Sequence, residues 1–455
     1  MSKHRTRISI ILTLLCCFTY NISAQSSTRQ WPQFRGQFAS GILNNTDLPE
    51  RWDLETGENI KWKRYFPGLG HSCPIVWDDI IFLTTAISGS GDNSLKVGLY
   101  GDIDDVDDMS EHKFKLYCIE KNSGKLIWER LVHQGIPSTK RHTKASHANP
   151  TPATNGKYVV VSFGSEGLYC YDFHGNLVWK KAFGRMNAGP HDSPETEWGF
   201  ASSPIIHEDR IIVQCDFLGD SFIACYDLET GKVIWERPRI ENSTWSTPNF
   251  YSNGENRQII VNGYNHMGGY NFDTGEEIWK MSGGGDAPTP TPIFAHNHFF
   301  IHNAHGRYSP IYAVRDNAVG DITLHNDSTS NEYITWSIKR GGAYMPTNLV
   351  IGDYLYNLRM NGLLLCFHAV TGEPVYAERL PDSRGITASG VASDGKIYYA
   401  FEQGEVYTIQ AGPEFKILEK NNLGGLVMAT PAITQDMLIF RTEHYLVGVG
   451  KTNEK

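Results

Sequence analysis

The chain reads as a long succession of short apolar runs, each alternating with polar residues and each ended by a turn containing glycine or proline. Alternation at every second residue marks a half-buried strand, and no stretch shows the spacing of a helix. One unit shows the pattern in full: Cys225-Tyr226-Asp227-Leu228-Glu229-Thr230-Gly231-Lys232-Val233-Ile234-Trp235 is an apolar strand, a polar turn with glycine, and a strand ending in tryptophan. Related copies run from Cys118 to Trp128, Cys170 to Trp179 and Tyr270 to Trp279. A looser copy ends at Tyr376, and another, Thr56-Gly57 through Trp62, stands near the N-terminus. A small residue with proline opens each unit, at Pro74, Pro152, Pro204, Pro248, Pro292, Pro346 and Pro431, and between Thr387 and Val391 the slot holds Ser389 in place of proline. That makes eight units.

Units of about four short strands repeated at this period predict an all-β fold, an eight-bladed β-propeller in which each blade buries its faces against its neighbours. The last unit begins at Pro431 and leaves no room before Gly450 for an outermost strand. The orphan strand Ile60 to Tyr65, carrying Trp62, is expected to supply it and close the ring, which removes exposed edges. The expected organisation is a signal peptide at 1–24, an N-terminal extension at 25–57 and a single propeller at 58–455. Cys118, Cys170, Cys225 and Cys366 occupy one slot in separate blades, too far apart for disulfide geometry, and are expected to be free buried thiols.

Composition agrees with a large folded β protein: 455 residues, 12% aromatic, with 44 Gly and 21 Pro. Lys3, Arg5 and Arg7 precede an apolar run from Ile8 to Phe18 and small residues up to Ala24, the form of a cleaved secretory leader. The run is too short to span a bilayer, and Cys16 and Cys17 lack the small residues that precede a lipidated cysteine. The expectation is an exported monomer, periplasmic or secreted, with no membrane anchor. Losing three cations and no acid moves the formal charge from −9 to −12, so nucleic acid is not an expected partner. An anionic ligand requires a local basic site working against the global field.

The blade ending Thr-Gly-x-x-x-Trp resembles the tryptophan-docking motif of the PQQ-binding-like propellers. The opening Trp31-Pro32-Gln33-Phe34-Arg35-Gly36, with His142-Thr143-Lys144 and Trp245-Ser246-Thr247-Pro248, resembles a secreted branch of that family. The resemblance spans roughly Trp31 to Gly450. Better-known relatives are the quinoprotein dehydrogenases and the BamB-type assembly lipoproteins. The former set adjacent cysteines against their cofactor, and beyond the leader this chain has none, so no cofactor residue is carried over and PQQ is not expected. The latter need a lipidated cysteine in a context this leader lacks.

Standard catalytic motifs are absent. The acidic run Asp102, Asp104, Asp105, Asp107 and Asp108 misses the spacing of a calcium loop; it is read as a solvated loop ahead of a structural calcium site. Propeller topology brings the entry loops and the loops between second and third strands to one face, and these hold histidine, arginine and aromatic residues. Polar residues also collect on loops for no chemical reason. Taken as a site, Trp198 and Trp245 suit stacking on sugar rings, with His266 beside them. Arg307, Arg359 and Arg441 suit a bidentate clamp on a carboxylate.

With His147 or His305 as base and Tyr344 as acid, these residues match β-elimination from a uronic acid. The cation neutralises the carboxylate, the base removes the C5 proton, and the acid protonates the group leaving C4. Propeller-fold uronate lyases provide an analogy of fold alone. The expectation is therefore an exported carbon–oxygen lyase or dehydratase acting on anionic oligosaccharides in polysaccharide degradation. A BamB-like binding or assembly scaffold and a PQQ-dependent oxidoreductase remain the alternatives.

Overall fold

The computed structural model describes residues 30–98, 103–254, 256–305 and 308–452; the expected leader lies outside them. The described residues form eight sheets arranged as propeller blades, antiparallel except for the short strand Gly320–Asp321 added in parallel to the edge of blade 4. A ninth, two-stranded sheet pairs Asp105–Val106 with Arg141–His142. Blades 1 to 4 begin on inner strands Ile75–Trp77, Ala153–Thr154, Ile205–His207 and Asn249–Ser252. Blades 5 to 8 begin on Ile293–Ala295, Leu349–Ile351, Val391–Ser393 and Ala432–Ile433. Seven blades run inner to outer in chain order. Blade 8 takes its outer strand from the N-terminal side: Ile60–Tyr65 pairs with Tyr445–Val449, Trp62 opposite Gly448. The ring closes as the short final unit predicts.

Two entry slots differ from the sequence reading. The residue directly before the inner strand is proline in six blades, but in blade 6 it is Asn348 and in blade 7 Gly390. Pro346 stands two residues too early for the slot, and Ser389 occupies the position before it. The reading aligned prolines, whereas the chain aligns the Ser, Thr or Cys that precedes them.

The repeated tryptophan is a fastener between blades. The indole N–H of Trp62 donates to Lys121 O at 2.8 Å, Trp128 to Phe173 O at 3.0 Å and Trp179 to Leu228 O at 2.9 Å. Trp235 reaches Phe272 O and Trp336 reaches Ala369 O, both at 2.9 Å. Each acceptor lies on the following blade, with blade 8 reaching blade 1. In four of these five the turn glycine of the following blade lies against the ring, while after Trp128 the glycine, Gly175, lies against Arg130. At Gly124, Gly231, Gly275 and Gly372 φ is positive, and a Cβ would come within 2.5–2.7 Å of the indole. Only glycine meets both demands. Trp279 of blade 4 bonds Gln258 Oε1 instead, and Gln258 passes the contact to Asp316 O, where blade 5 replaces the turn by a longer segment.

Between the blades lie aliphatic and aromatic clusters, and one of them joins Trp31, Leu43, Leu48 and Trp52 of the N-terminal extension to blade 8. All six described cysteines are buried and unpaired, including the four that share a strand position.

Trp62→Ala removes both the closing indole bond and a side chain that is 5% exposed. The expected cost is about 3–5 kcal/mol, read as a lower denaturant midpoint. A midpoint within error of the parent would show that this strand is not what closes the ring. Deletion through Tyr65 should leave Tyr445–Val449 as an open edge, so the truncated protein should self-associate in sedimentation experiments.

Candidate functional site

The residue two before each inner strand builds a belt around the axis. These residues are Cys73, Thr151, Ser203, Thr247, Thr291, Thr347, Ser389 and Thr430. The backbone N–H of one donates to the hydroxyl of the next: Cys73 to Thr151 at 3.0 Å, Thr151 to Ser203 at 2.9 Å and Ser203 to Thr247 at 3.1 Å. The same links join Thr291 to Thr347 at 3.0 Å, Thr347 to Ser389 at 2.9 Å and Ser389 to Thr430 at 2.9 Å. Backbone donors that would otherwise point unpaired into the axis are thereby satisfied.

One end of the axis is stopped by the N-terminal extension. Trp31 bridges Val76 of blade 1, Pro32 O accepts from Thr154 N of blade 2, and Gln33 Oε1 accepts from Ile206 N of blade 3. Phe38 O then accepts from Asn249 Nδ2 of blade 4, and Ile42 bridges Ala392 of blade 7. Arg35 sits inside this plug, fully buried. Its guanidinium donates to Ala39 O, Ser40 O, Asn348 O and Gly390 O at 2.9–3.4 Å. The last two carbonyls belong to the two blades that lack the entry proline.

Above the plug lies a cavity of about 180 Å³, with Phe34 among its lining residues and the belt around it. Its walls carry His71, His142, Lys144, Asn149, Trp198 and Trp245, and also His305 and Tyr344. The indoles of Trp198 and Trp245 stand 5.5 Å apart at 39°. Their N–H groups are committed to Ile103 O and Gly199 O, so what they offer the cavity is carbon surface. The rings of His305 and Tyr344 lie 5.1 Å apart. Asp286 Oδ2 stands 4.0 Å from His305 Nδ1.

Lys144 Nζ pairs with Glu402 at 2.7 Å. Glu402 has no exposed surface and also accepts from Thr387 Oγ1 at 2.7 Å and from the Gly98 N–H at 2.5 Å. The Gly98 contact ties the blade 1 insertion to blade 7.

The charge around this cavity is unbalanced. Arg441 is fully buried behind His71, donating only to Ser72 O and Ser72 Oγ, and burial lowers its pKa to about 9. Burial lowers Arg35 to about 10. Among the described residues neither has a carboxylate within ion-pair distance. Arg239, equally buried but remote from the cavity lining, has Asp216 at 2.7 Å and Glu241 at 3.6 Å. A buried cation without a counter-ion is costly; both stand behind the lining residues rather than on the cavity wall, where the charged groups are Lys144, paired with Glu402, and His305, with Asp286 at 4.0 Å.

Of the residues expected from sequence, Trp198, Trp245, His305 and Tyr344 come together on the cavity. His147 does not: it packs on His112 and Phe114, and burial with His112 pushes its pKa down to about 3. His266 lies between Tyr270 Oη and Glu277, each 3.3 Å away, off the lining, with its pKa lowered to about 4 by burial and Arg239. Arg359 is half-buried at a turn of blade 6 and Arg441 is used on Ser72, so these two do not converge into a clamp. Arg307 lies outside the described residues. The acidic run disperses: Asp105 and Asp107 pair with Lys140, and Asp108 turns inward to Ser88 and His112. Among the described residues no group of three or more His, Cys, Asp or Glu is placed to hold a metal ion. Sequence reasoning gave no role to Phe34, Arg35 or the Lys144–Glu402 pair. The belt left a visible trace in the Ser, Thr or Cys before each entry proline.

Fold and site together define a PQQ-like repeat propeller with an axial cavity stopped at one end. The family profile described as "Outer membrane protein assembly factor BamB" matches residues 112–378, more than half of the chain, and the chain belongs to that family. The outer membrane protein assembly factor BamB of Shewanella oneidensis is 20% identical over 234 residues, covering 49% of this chain and 55% of that protein. The chain thus spans about half the length of the curated relative it matches. Among solved structures, BamB from Moraxella catarrhalis superposes with a TM-score of 0.52 at 12% identity, over 80% of this chain and 98% of that one. The quinohemoprotein alcohol dehydrogenase ADHIIG from Pseudomonas putida HK5 gives 0.61 at 11% identity, over 95% and 82%. The computationally designed Ika8 protein gives 0.57 at 11%, over 86% and 99%. These likenesses show the fold. The cavity lining holds one cysteine, Cys73, its thiol pKa raised by burial, and two indoles tilted 39° to each other.

His71, His147 and His302 are pushed down to about 3 and His266 to about 4, in each case chiefly by burial. An unfolded histidine titrates near 6.5. Between these values the unfolded chain binds more protons than the folded one, so stability is full above about pH 6.5 and falls as the pH drops towards 3. Denaturant midpoints should therefore be lower at pH 5 than at pH 7.5, and His302→Gln should narrow the gap. Equal midpoints at the two pH values would contradict the buried neutral state.

Proposed function

We propose that this chain is an exported enzyme that dehydrates the terminal uronic acid residue of an acidic oligosaccharide by β-elimination. The observation that carries the reading is a cavity whose wall holds the cation Lys144 beside a His305–Tyr344 pair, with rings 5.1 Å apart. A cation there favours a carboxylate ligand, and a neutralised carboxylate acidifies the neighbouring C5–H. Paired indoles on the wall suit the carbon face of a sugar.

Size and closure narrow the substrate. Pockets for drug-sized ligands run to about 300–1,000 Å³, and this cavity, at about 180 Å³, suits a single ring. The plug prevents a polysaccharide from threading through, so a chain end enters. In a non-reducing terminal uronate the group on C4 is a hydroxyl. His305 takes the C5 proton, the C5–H electron pair becomes the C4=C5 double bond, and the C4–O bond breaks. Tyr344 gives its proton to the departing oxygen, which leaves as water. Asp286, its carboxylate 4.0 Å from His305 Nδ1, stabilises the imidazolium that forms.

The reaction is read as absorbance of the conjugated acid on incubation with glucuronate-, iduronate- and galacturonate-ended oligosaccharides. Tyr344→Phe and His305→Gln should each lower kcat by about 10²–10⁴-fold, and Lys144→Met should raise KM. No absorbance with folded parent protein, or full turnover in both variants, would overturn the reading. The family description favours a second reading, a non-catalytic assembly scaffold on the outer-membrane side of the periplasm. Catalytic silence together with capture of a partner protein that is lost on blade-loop substitution would favour it.

A further inference from the structure

A saccharide seated by one ring must leave across the rim, and the rim beside His305 has its own construction. Gly283, Gly284 and Gly285 follow the outer strand of blade 4 and let loops of blades 4 and 5 lie side by side. A Cβ on Gly284 would fall 3.2 Å from Tyr264 O, and one on Gly285 would fall 3.4 Å from His305 O. Tyr264 therefore borders the loop that carries His305. Its ring packs on the exposed His191 with centroids 4.7 Å apart, and its hydroxyl lies 3.3 Å from His191 Nε2. The exposed Asp286 closes the glycine run. Burial first, then the charges of Asp286, Asp192 and Glu241, raise the Tyr264 phenol above its ordinary value. Asp192 follows His191 and Asp286 follows Gly285 in the chain, so two carboxylates border the shelf.

The geometry points to a second binding subsite on this shelf, for an uncharged sugar ring joined to the residue in the cavity: Tyr264 and His191 take the face of the ring, and Asp286 and Asp192 accept from its hydroxyls. A sulfated or carboxylated second sugar is rejected by the same two carboxylates. The subsite rests on the reading of the cavity as a uronate site.

Binding, measured by calorimetry, separates the two. Glucuronic acid is compared with a disaccharide of glucuronic acid linked to a neutral hexose and with the same disaccharide sulfated on the hexose. The neutral disaccharide should bind about tenfold more tightly than glucuronic acid, the scale of one aromatic contact. Tyr264→Ala should remove that gain and leave glucuronic acid affinity unchanged, Tyr264→Phe should keep it, and the sulfate should abolish it. Thermal melting of each variant controls for folding. A disaccharide that binds no tighter than glucuronic acid, a gain that survives Tyr264→Ala, or a sulfated sugar bound as well overturns the subsite alone. Failure of the parent to bind any of the three overturns the cavity reading and the subsite with it.

Discussion

The structure depends on one contact made over and over: an indole of one blade laid on a glycine turn of the next, its N–H bonded to a carbonyl there. Trp62 on Gly124 is the instance that closes the circle. The contact requires an open backbone at the turn and a large flat ring at the end of the preceding strand. Neither residue can change alone, since any Cβ at the turn meets the ring. Because each fastener belongs to two blades, the blades have no independent existence, and the long-range pairing of Ile60–Tyr65 with Tyr445–Val449 becomes a condition for all of them.

This is also why the fold was legible. Thr-Gly-x-x-x-Trp is a local pattern imposed by a contact between blades, so its spacing reports blade geometry directly, and the truncated last unit announces the borrowed strand. The prolines were a poorer guide. They favour the extended entry but have no N–H to give the neighbouring blade, and Asn348 and Gly390 stand in their place in blades 6 and 7. What the chain keeps before them is a small Ser, Thr or, in blade 1, Cys, and six of the hydroxyls receive a backbone donor from the adjacent blade.

The site was legible only in part, for a physical reason. Topology decides which loops share a face, and it brought Trp198, Trp245, His305 and Tyr344 together. It does not decide how far a long side chain reaches or what it meets. Arg441 turns back onto Ser72 and His147 onto His112, contacts made across blades and invisible to spacing. Arg35 is the opposite case. Its motif was plain in the sequence, but its place on the axis follows from where a plug lands after passing four blades, which no local pattern records. Both guanidiniums are placed by packing, one overlooked and one assigned to a clamp it does not form.

The N-terminal extension has a consequence for the order of events in folding. Trp31 to Tyr65 find their partners in blades 1 to 4 and 6 to 8, at both ends of the ring. The contacts with blades 1 to 4 form within the earlier part of the chain, whereas those with blades 6 to 8 wait for the far end of the ring. The latter carry high sequence separation and slow folding. The plug is therefore seated in two stages, and the axial cavity gains its whole floor only when the last blades have joined the first.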